Sequence, residues 1–501
     1  MRLVVLFTFV FTGIHHPMLA QERPNVIVVL ADDVGVGDIS HYRRNHSDKI
    51  IMETPAIDQL AKEGLTFSNA YAPAALCAPS RYAIMTGNHC FRSDYPWGVW
   101  GSYQKSPIKE DQLTLGRLMK EAGYQTAFFG KWHLGGDYLR KDDSTTIYRG
   151  LRNKPELDVD IRKIVGGGPQ SNGFDYSYTF PAGIQAVPYA AYENGIWLPF
   201  HEDSKVDFIT QKKMTKIKVK LDKLEGLGDS HWNPHRAGPL LVNKAVDFLE
   251  KKTTEQPFFL YYCAQAVHLP HTPSDSLNGK KIKGTTPSRH LDMVKELDVQ
   301  IEMMVATLKR KGIYENTLII ITSDNGGLLR SKTIKSGHQS NDIYRGGKNQ
   351  PYEGGNRVPF IATWPEKIKA NRQSDIPVLG LDIMATLGAL TDQNLVQAGL
   401  TDGRDLLPIF YDEKKSLSRP FVVTQAGTGK QVMIRKAGWK LIIQTDKKNP
   451  SNRDRKPVAL FDLKNNATEE EQQNLINSKA HQAKVQELLE LYNATRDKDS
   501  S

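Results

Sequence analysis

Two short apolar runs, each leading to acidic or amide side chains, constrain the fold of this chain most strongly. Asn25 to Ala31 reads NVIVVLA and precedes Asp32-Asp33, and Leu318 to Thr322 reads LIIIT and leads to Asp324-Asn325. Such continuous β-branched runs are typical of strands that are buried on both faces of a parallel sheet. Open α/β sheets bind ligands at the carboxyl ends of their strands, so a metal site is expected where these side chains meet. A single aspartate after a strand more often caps a turn, and this alternative stays open here.

Helical and strand-like segments alternate along much of the remaining chain. Helical spacing occurs at residues 54–64, 113–122, 240–249 and 291–311, and strand-like runs occur at 124–129, 258–263 and 359–364. This alternation is typical of an α/β fold. Beyond residue 417 the pattern becomes that of an antiparallel meander closed by a helix. We therefore predict a large mixed, mostly parallel sheet flanked by helices over residues 21–417, and a smaller C-terminal antiparallel sheet plus helix over 418–501.

Residues 142–232 have a polar composition and weak periodicity. A long irregular segment in a compact protein is usually an active-site insertion or disordered, so an irregular insertion is expected here. Within it, seven lysines lie between Lys205 and Lys223. Such a run usually forms a solvated face, and a rim that binds a polyanion is the alternative.

Cys77 opens the stretch CAPSR, which Thr86-Gly87 follows at a short distance. Pro79 suits the first position of a helix, and Gly87 suits the left-handed residue just past a helix end. The pattern therefore predicts a short helix whose positive end carries Cys77, with Arg81 adding a fixed positive charge one turn later. A lone cysteine at a helix start is more often a buried core residue, and this is the alternative.

The first residues, Met1 to Ala20, have the features of a secretory signal. Arg2 supplies a positive charge, Leu3 to Ile14 is almost wholly apolar, and Ala20 suits a cleavage edge. Since no later apolar run is long enough to span a membrane, we expect an exported protein, periplasmic or extracellular, without a membrane span. A retained anchor is the alternative.

Cysteine content and net charge narrow the functional class further. The chain has three cysteines in 501 residues, which excludes a disulfide scaffold. Its formal net charge is +10 at pH 7. This charge favours anionic partners, and by itself it does not distinguish nucleic acid, membrane headgroups and sulfated polymers.

The motifs, taken in chain order, resemble those of the type I sulfatases of the alkaline-phosphatase-like superfamily. The resemblance rests on NVIVVLADD, CAPSR with the following TG, GKWH at residues 130–133, VHLPH at 267–271, SDNGG at 323–327, and Lys348, which three residues separate from YEGG. It implies that Cys77 is oxidised to formylglycine by a formylglycine-generating maturation enzyme. The hydrate of that aldehyde has one hydroxyl that attacks sulfur and a second that later expels sulfate.

The resemblance also implies a ligand set for one calcium ion per chain. The ligands carried over are Asp32, Asp33, Asp324 and Asn325, together with Cys77 as formylglycine. Three carboxylates and an amide oxygen, with no thiolate or imidazole, suit calcium better than zinc.

Catalytic roles follow from the same resemblance. Arg81 and His133 would orient the hydroxyls of the hydrate, while Lys131 and Lys348 would bind the charge of the sulfate. His268 would be the general acid, because a leaving alkoxide needs a proton and imidazole is a natural donor near neutral pH. The second histidine of the motif, His271, is expected to be structural.

The function predicted on this basis is that of a secreted sulfatase acting on a sulfated carbohydrate, with no nucleic-acid partner. One alternative is a phosphonate monoester or phosphodiester hydrolase of the same superfamily, since a fold does not fix a substrate. A second alternative is a non-catalytic polyanion-binding protein in which Cys77 is never converted.

Overall fold

The structure is a computed structural model that describes residues 23–96, 98–150, 157–253, 255–427, 430–446 and 455–497. The signal predicted at residues 1–20 lies outside the described residues. Among the helices that the structure describes, none is both long enough and apolar enough to cross a membrane.

The strands of the described residues are, in chain order, β1 (Asn25–Ala31), β2 (Leu65–Phe67), β3 (Ala70–Tyr71), β4 (Gln125–Lys131), β5 (Tyr138–Arg140), β6 (Ile147–Tyr148), β7 (Val159–Asp160), β8 (Tyr176–Ile184), β9 (Ala191–Glu193), β10 (Ile196–Leu198), β11 (Val206–Ile209), β12 (Gly226–Asp229), β13 (Phe258–Cys263), β14 (Ser276–Leu277), β15 (Lys280–Lys281), β16 (Thr317–Ser323), β17 (Phe360–Thr363), β18 (Arg372–Ser374), β19 (Val378–Leu379), β20 (Val422–Gln425), β21 (Gln431–Lys436), β22 (Trp439–Gln444) and β23 (Lys456–Asp462).

The α-helices of the same residues are α1 (Ser40–Arg43), α2 (Pro55–Glu63), α3 (Cys77–Thr86), α4 (Leu115–Glu121), α5 (Gln211–Lys216), α6 (Ala237–Glu250), α7 (Arg289–Arg310), α8 (Ser331–Lys335), α9 (Glu353–Asn356), α10 (Asp382–Leu390), α11 (Leu407–Tyr411) and α12 (Gln482–Arg496).

A mixed sheet of ten strands forms the centre of the molecule, in the order β10-β9-β8-β4-β13-β1-β16-β17-β2-β18. The five strands from β8 to β16 in this order are parallel to one another, and β17 and β9 run antiparallel to their inner neighbours. The two predicted apolar runs are adjacent, because β1 pairs with β16 along its whole length. The fold class predicted from the sequence, a large mixed and mostly parallel sheet, is confirmed.

Both faces of the sheet are covered by helices, which explains why its central strands are apolar throughout. Ile27 and Val29 of β1 belong to one apolar core, which includes residues of α2, α6 and α7. Val26 and Val28 belong to the core on the opposite face, with residues of α3, α4 and α10. Burial on both faces removes the alternation of apolar and polar residues seen in half-exposed strands.

A second, four-stranded antiparallel sheet with the order β20-β21-β22-β23 follows, with α12 packed on it. This matches the smaller C-terminal sheet and helix predicted from the sequence. Its edge strand β20 contacts the first sheet's loops, since the Ala75 amide donates to the Gln425 carbonyl at 2.8 Å and the Gly427 amide donates to the Asn349 carbonyl at 3.2 Å.

The segment 142–232 is not irregular throughout, contrary to the sequence prediction. Strand β8 pairs in parallel with β4 from Ala127 to Lys131, so the segment extends the main sheet. The sequence of β8, YSYTFPAGI, conceals the strand because it is buried while containing serine, threonine, proline and glycine. Pro181 is tolerated because it follows Phe180, the last residue of β8 paired with β4.

Candidate active site

Four parallel strands end at one edge of the main sheet, and their ends bring distant segments together. The register places Leu30 of β1 beside Cys263 of β13, and Cys263 beside Gly130 of β4, while Ala31 lies beside Ser323 of β16. The residues that follow these positions therefore share one site, as expected for the carboxyl ends of strands in an open α/β sheet.

The acidic side chains after β1 and β16 form one buried cluster. Oxygen atoms of Asp32, Asp33 and Asp324 all lie within 4.8 Å of one another. The Asp33 backbone amide donates to Asp324 Oδ1 at 3.1 Å, and Asn325 Nδ2 donates to Asp33 Oδ1 at 2.9 Å. All four residues have 0% of their surface exposed. Because isolated buried carboxylates are costly, this cluster needs cations.

The cluster fits a hard divalent cation. Asp32 Oδ1 and Asn325 Oδ1 are buried and have no hydrogen-bond partner within the described part of the chain. Buried polar atoms are rarely left without a partner, so orphaned oxygens beside two further carboxylates suit metal ligation. Oxygen-only ligands are preferred by calcium and magnesium over zinc.

Helix α3 presents Cys77 at its first residue, beside the acidic cluster. The sequence predicted Pro79 as the first helical residue. The helix begins two residues earlier, at Cys77, so the proline is its third residue. The first turn tolerates it because amide groups there have no intrahelical acceptor. Gly87 ends the helix with φ 70°, in the left-handed conformation that was predicted. The thiol of Cys77 lies 3.4 Å from His133 Nδ1.

Three cationic side chains face the three carboxylates. Lys131 Nζ lies 2.6 Å from Asp32 Oδ2, and Lys348 Nζ lies 2.6 Å from Asp33 Oδ1. Arg81 donates from Nε to Asp324 Oδ2 at 3.0 Å and from Nη1 to the Lys131 carbonyl at 2.9 Å.

His268 and Cys77 approach the same carboxylates. His268 Nε2 lies 3.8 Å from Asp33 Oδ2, and its Nδ1 lies 2.8 Å from the Leu269 carbonyl. Ligating atoms of Asp32, Cys77 and His268 lie within 4.8 Å of one another. The structure thus brings all the site residues predicted from the sequence into one buried pocket, and their individual roles stay predictions.

The charges in the pocket shift the pKa values of its acids in opposite directions. Burial favours the neutral form of Asp32, but the charges of Lys131, His268, Arg81 and Lys348 outweigh burial and hold its pKa well below the usual range. Burial and the neighbouring charge of Asp32 raise the pKa of Asp324 to about 7, although Arg81 opposes them. The side-chain cations therefore stabilise the ionised form of Asp324 less than that of Asp32.

The pocket also disfavours charge on the cysteine and the histidine. Burial raises the pKa of the Cys77 thiol, so the thiol is a poor nucleophile in its unmodified form. Burial, followed by the charges of Lys348 and Lys131, lowers the pKa of His268 well below its ordinary value. A bound anion between the two lysines would offset their charge on the imidazole.

Three residues that the sequence analysis did not single out lie at the pocket. Gln185 accepts a hydrogen bond from Lys131 Nζ at 2.9 Å. It lines a cavity of about 540 Å³ together with Trp100, Tyr103 and His133. Gln185, Trp100 and Tyr103 belong to no motif, so only their positions in the fold reveal them.

The end of β8 orients the residues that follow β4. The Trp132 and His133 amides donate to the carbonyls of Phe180 and Pro181 at 3.4 and 2.8 Å. His133 has φ 58°, a left-handed conformation that is uncommon outside glycine. The segment that looked irregular in sequence therefore fixes the backbone of a predicted catalytic residue.

The family model and the related proteins that match this chain all belong to one family. A family model described as Sulfatase matches residues 24–393. N-acetylgalactosamine-6-O-sulfatase of Bacteroides thetaiotaomicron is 31% identical over 515 residues, covering 95% of this chain and 94% of that protein. Steryl-sulfatase of Homo sapiens is 29% identical over 430 residues, covering 80% of this chain and 72% of that protein.

A solved structure shares the fold over nearly the whole chain. It is described as belonging to the metabolism of multiple glycosaminoglycans by Bacteroides thetaiotaomicron, and it superposes with a TM-score of 0.77 at 29% identity. The match covers 95% of this chain and 99% of that one.

Proposed function

This chain is a member of the sulfatase family and hydrolyses sulfate esters, and we propose that it does so on a sulfated carbohydrate, with formylglycine at position 77 and one calcium ion. The observation that carries the proposal is the buried cluster of Asp32, Asp33 and Asp324 beside Cys77. Three carboxylates buried together are unfavourable unless cations compensate them, and the two oxygen atoms left without a partner suit a bound metal ion.

Conversion of Cys77 to formylglycine would supply a hydrated aldehyde as the nucleophile. In place of the thiol, its hydroxyl groups would face His133, whose Nδ1 lies 3.4 Å from the present sulfur atom. Arg81 is fixed by Asp324 and the Lys131 carbonyl, so its guanidinium provides a stationary positive charge one helical turn away. His133 would accept a proton when the covalent sulfate is expelled.

Calcium would be held by Asp32, Asp33, Asp324 and Asn325, with the modified residue 77 as a further ligand. When bound, the ion supplies Lewis-acid polarisation of the sulfate oxygens. Its charge would also keep Asp324 ionised, since that carboxyl otherwise has a raised pKa.

Lys131 and Lys348 would bind the sulfate, and His268 would protonate the leaving oxygen. The two ammonium groups pair with different carboxylates of the cluster, Asp32 and Asp33, so an anion held beside the cluster would meet both positive charges. His268 lies beside the same Asp33 carboxylate, within reach of a group held there. The proton it donates converts the leaving alkoxide into an alcohol.

The relatives and the charge of the chain support a sulfated carbohydrate as the substrate. The relative with 31% identity is named for the 6-O-sulfate of N-acetylgalactosamine, and the match extends over 95% of this chain. The formal net charge of +10 suits a polyanionic substrate. Export guided by residues 1–20 and conversion of Cys77 by a maturation enzyme belong to the same proposal.

A substrate panel tests this proposal. Purified protein, produced together with a formylglycine-generating enzyme, should release sulfate from N-acetylgalactosamine 6-sulfate or from another sulfated saccharide of the panel. The kcat/KM for that saccharide should exceed the value for a small aryl sulfate and for a steroid sulfate. Efficient turnover of the aryl or steroid sulfate, with no turnover of any sulfated glycan, would overturn the carbohydrate assignment.

A further inference from the structure

A second cavity, of about 770 Å³, is lined in part by the loop that follows His268. The loop residues 269–272 form one wall, the segment 218–222 forms another, and the starts of α7 and α8 form the rest. We call this the basic cavity. Its volume is within the range of known ligand sites.

Five cationic side chains line the basic cavity: Lys218, Lys220, Arg289, Arg330 and Lys332. Two of them belong to the lysine-rich stretch noted in the sequence. Within the described part of the chain, the structure records no ion pair for any of the five, although many other exposed cations pair with an acid. The one acidic residue in the lining, Asp222, pairs with Lys223 at 2.9 Å. The cavity therefore has a strong excess of positive charge.

The lining of the basic cavity includes a buried histidine with one nitrogen that has no hydrogen-bond partner within the described part of the chain. His290, at the start of the 22-residue helix α7, is 1% exposed, and its Nε2 has no hydrogen-bond partner among the residues that the structure describes. Its other nitrogen, Nδ1, lies 3.3 Å from Thr333 Oγ1. His271 packs against it, with ring centroids 5.2 Å apart. A buried hydrogen-bonding atom at a helix N-terminus, surrounded by cations, is suited to an anion.

Burial and nearby positive charges lower the pKa values of these two histidines. Burial is the main cause that lowers the pKa of His271 to about 3, and the charges of His290, Arg330 and Arg289 lower it further. Burial likewise lowers the pKa of His290; Asp38 and Asp33 oppose this shift, while His338 and Arg330 add to it. The basic cavity shares the lining residue Asp222 with the cavity that His133 and Gln185 line.

We propose that the basic cavity binds a second anionic group of the same glycan chain whose sulfate ester is held at residue 77. The group is a sulfate ester or a uronate carboxylate, which share a requirement for multiple charged hydrogen-bond donors. The proposal rests on the proposed function and extends it, because it makes the enzyme selective for polyanionic chains over isolated sulfated sugars. Loop 269–272, directly after His268, would separate the two bound groups.

Kinetics with a long and a short substrate test the proposal. The Lys220→Ala/Arg330→Ala variant removes two cavity cations, and Lys212→Ala/Lys216→Ala is the matched control, since these exposed lysines belong to the same stretch and do not line the cavity. With a chondroitin 6-sulfate hexasaccharide, the cavity variant should raise KM about tenfold or more, with little change in kcat. With N-acetylgalactosamine 6-sulfate, which has no second anionic group, both parameters should match the parent enzyme. Equal KM values for the hexasaccharide in all three proteins would overturn the proposal.

Binding to an inactive protein separates this proposal from the proposed function. In a Cys77→Ala background, the hexasaccharide should bind about tenfold more weakly to the cavity variant than to the control, and the difference should shrink at high salt. If the chemically desulfated hexasaccharide shows the same difference, the carboxylates are the ligands; if only the sulfated form shows it, the sulfate groups are. Unchanged affinity for both forms of the hexasaccharide would contradict anion binding at the basic cavity, even if the parent enzyme cleaves sulfated sugars. Failure of the parent enzyme on every sulfated sugar would instead contradict the proposed function.

Discussion

At the scale of single residues, the active site is charge-balanced before any ligand binds. The carboxylates of Asp32, Asp33 and Asp324 face Lys131, Lys348 and Arg81. A divalent cation added to this set leaves an excess of positive charge, which a sulfate group would neutralise. Cation and anion should therefore bind with positive coupling, since each relieves the charge that the other creates.

Cys77 is the residue whose loss should be most severe. Cys77→Ala removes both the thiol and any aldehyde made from it, so sulfate release should fall by at least about a thousandfold. The measurement is kcat for the best saccharide of the panel. Cys90→Ala is the control, because Cys90 is also a buried free cysteine and lies outside the pocket; it should retain activity. Activity in Cys77→Ala close to that of the parent would contradict the assignment.

Calcium removal should abolish activity and lower the thermal stability. The physical reason is that a chelator leaves Asp32, Asp33 and Asp324 without the charge that the cluster is built to hold. Calcium added back should restore both kcat and Tm. Asn325→Ala should weaken calcium binding about tenfold or more in titration calorimetry, since its Oδ1 is one of the orphaned oxygens. Restoration of activity by zinc alone would overturn the choice of metal.

The sequence predicted the motif residues well and the cavity residues poorly. Asp32, Asp324 and His268 all follow strands whose apolar character is visible in sequence, and parallel pairing then brings them to one edge. Gln185 and Arg330 reach their cavities through loops and a strand with no periodic pattern. Only the three-dimensional path of these loops determines which side chains line a cavity.

At the scale of elements, sequence periodicity located most helices and strands to within a few residues. Helix α7 occupies Arg289–Arg310, close to the predicted 291–311, and β1 occupies Asn25–Ala31, as predicted. Strand β8 was missed because a buried strand with polar residues lacks both the alternation and the apolar run that identify strands. Its neighbour β4 supplies the pairing that makes β8 a strand, which is a tertiary effect.

Helix α7 contains a carboxyl that should make stability pH-dependent. Burial raises the pKa of Glu296 to about 7, from an ordinary value of 4.5. The folded state favours the protonated form of Glu296, so this group does not lower the free energy of unfolding below about pH 4.5. As the pH rises further it lowers that free energy increasingly, and the effect levels off above pH 7. From the size of the pKa shift, the full loss in free energy of unfolding is about 3 kcal/mol.

Glu296→Gln should remove this pH dependence while keeping the acceptor for the Ser274 amide, which bonds Glu296 Oε2. The variant should be more stable than the parent at pH 8 and nearly equal to it at pH 5, as measured by Tm. Asp298 on the same helix has a pKa raised to about 7 by burial and is present in both proteins, so the difference isolates Glu296. A stability difference that is the same at both pH values would contradict the prediction.

At the scale of the whole molecule, the C-terminal sheet and a residue that follows its strand β20 are hydrogen-bonded to two loops of the active site. Its strand β20 bonds the segment before Cys77 through Ala75, and the following Gly427 bonds Asn349, the neighbour of Lys348. A buried network strengthens the contact, in which Lys440 Nζ lies 3.1 Å from Glu353 Oε1 and 2.7 Å from Glu469 Oε1. The sheet thus holds two active-site segments against each other.

Breaking this network should destabilise the protein. Lys440→Met leaves two buried carboxyl groups without their shared cation and should cost about 3 kcal/mol in free energy of unfolding. Lys436→Met is the control, because its pair with Glu487 is part exposed, and it should cost less than about 1 kcal/mol. Denaturant unfolding measures both. If the two variants lose equal stability, the C-terminal sheet does not depend on the buried network.

The central claim is that a modified side chain at position 77 acts beside a carboxylate-bound cation. Peptide mass spectrometry across Cys77, on protein made with a formylglycine-generating enzyme and divided into preparations of different specific activity, tests it most directly. We expect an aldehyde in place of the thiol, in a fraction that rises in proportion to sulfate release. Full activity in a preparation whose residue 77 is entirely unmodified cysteine would contradict it.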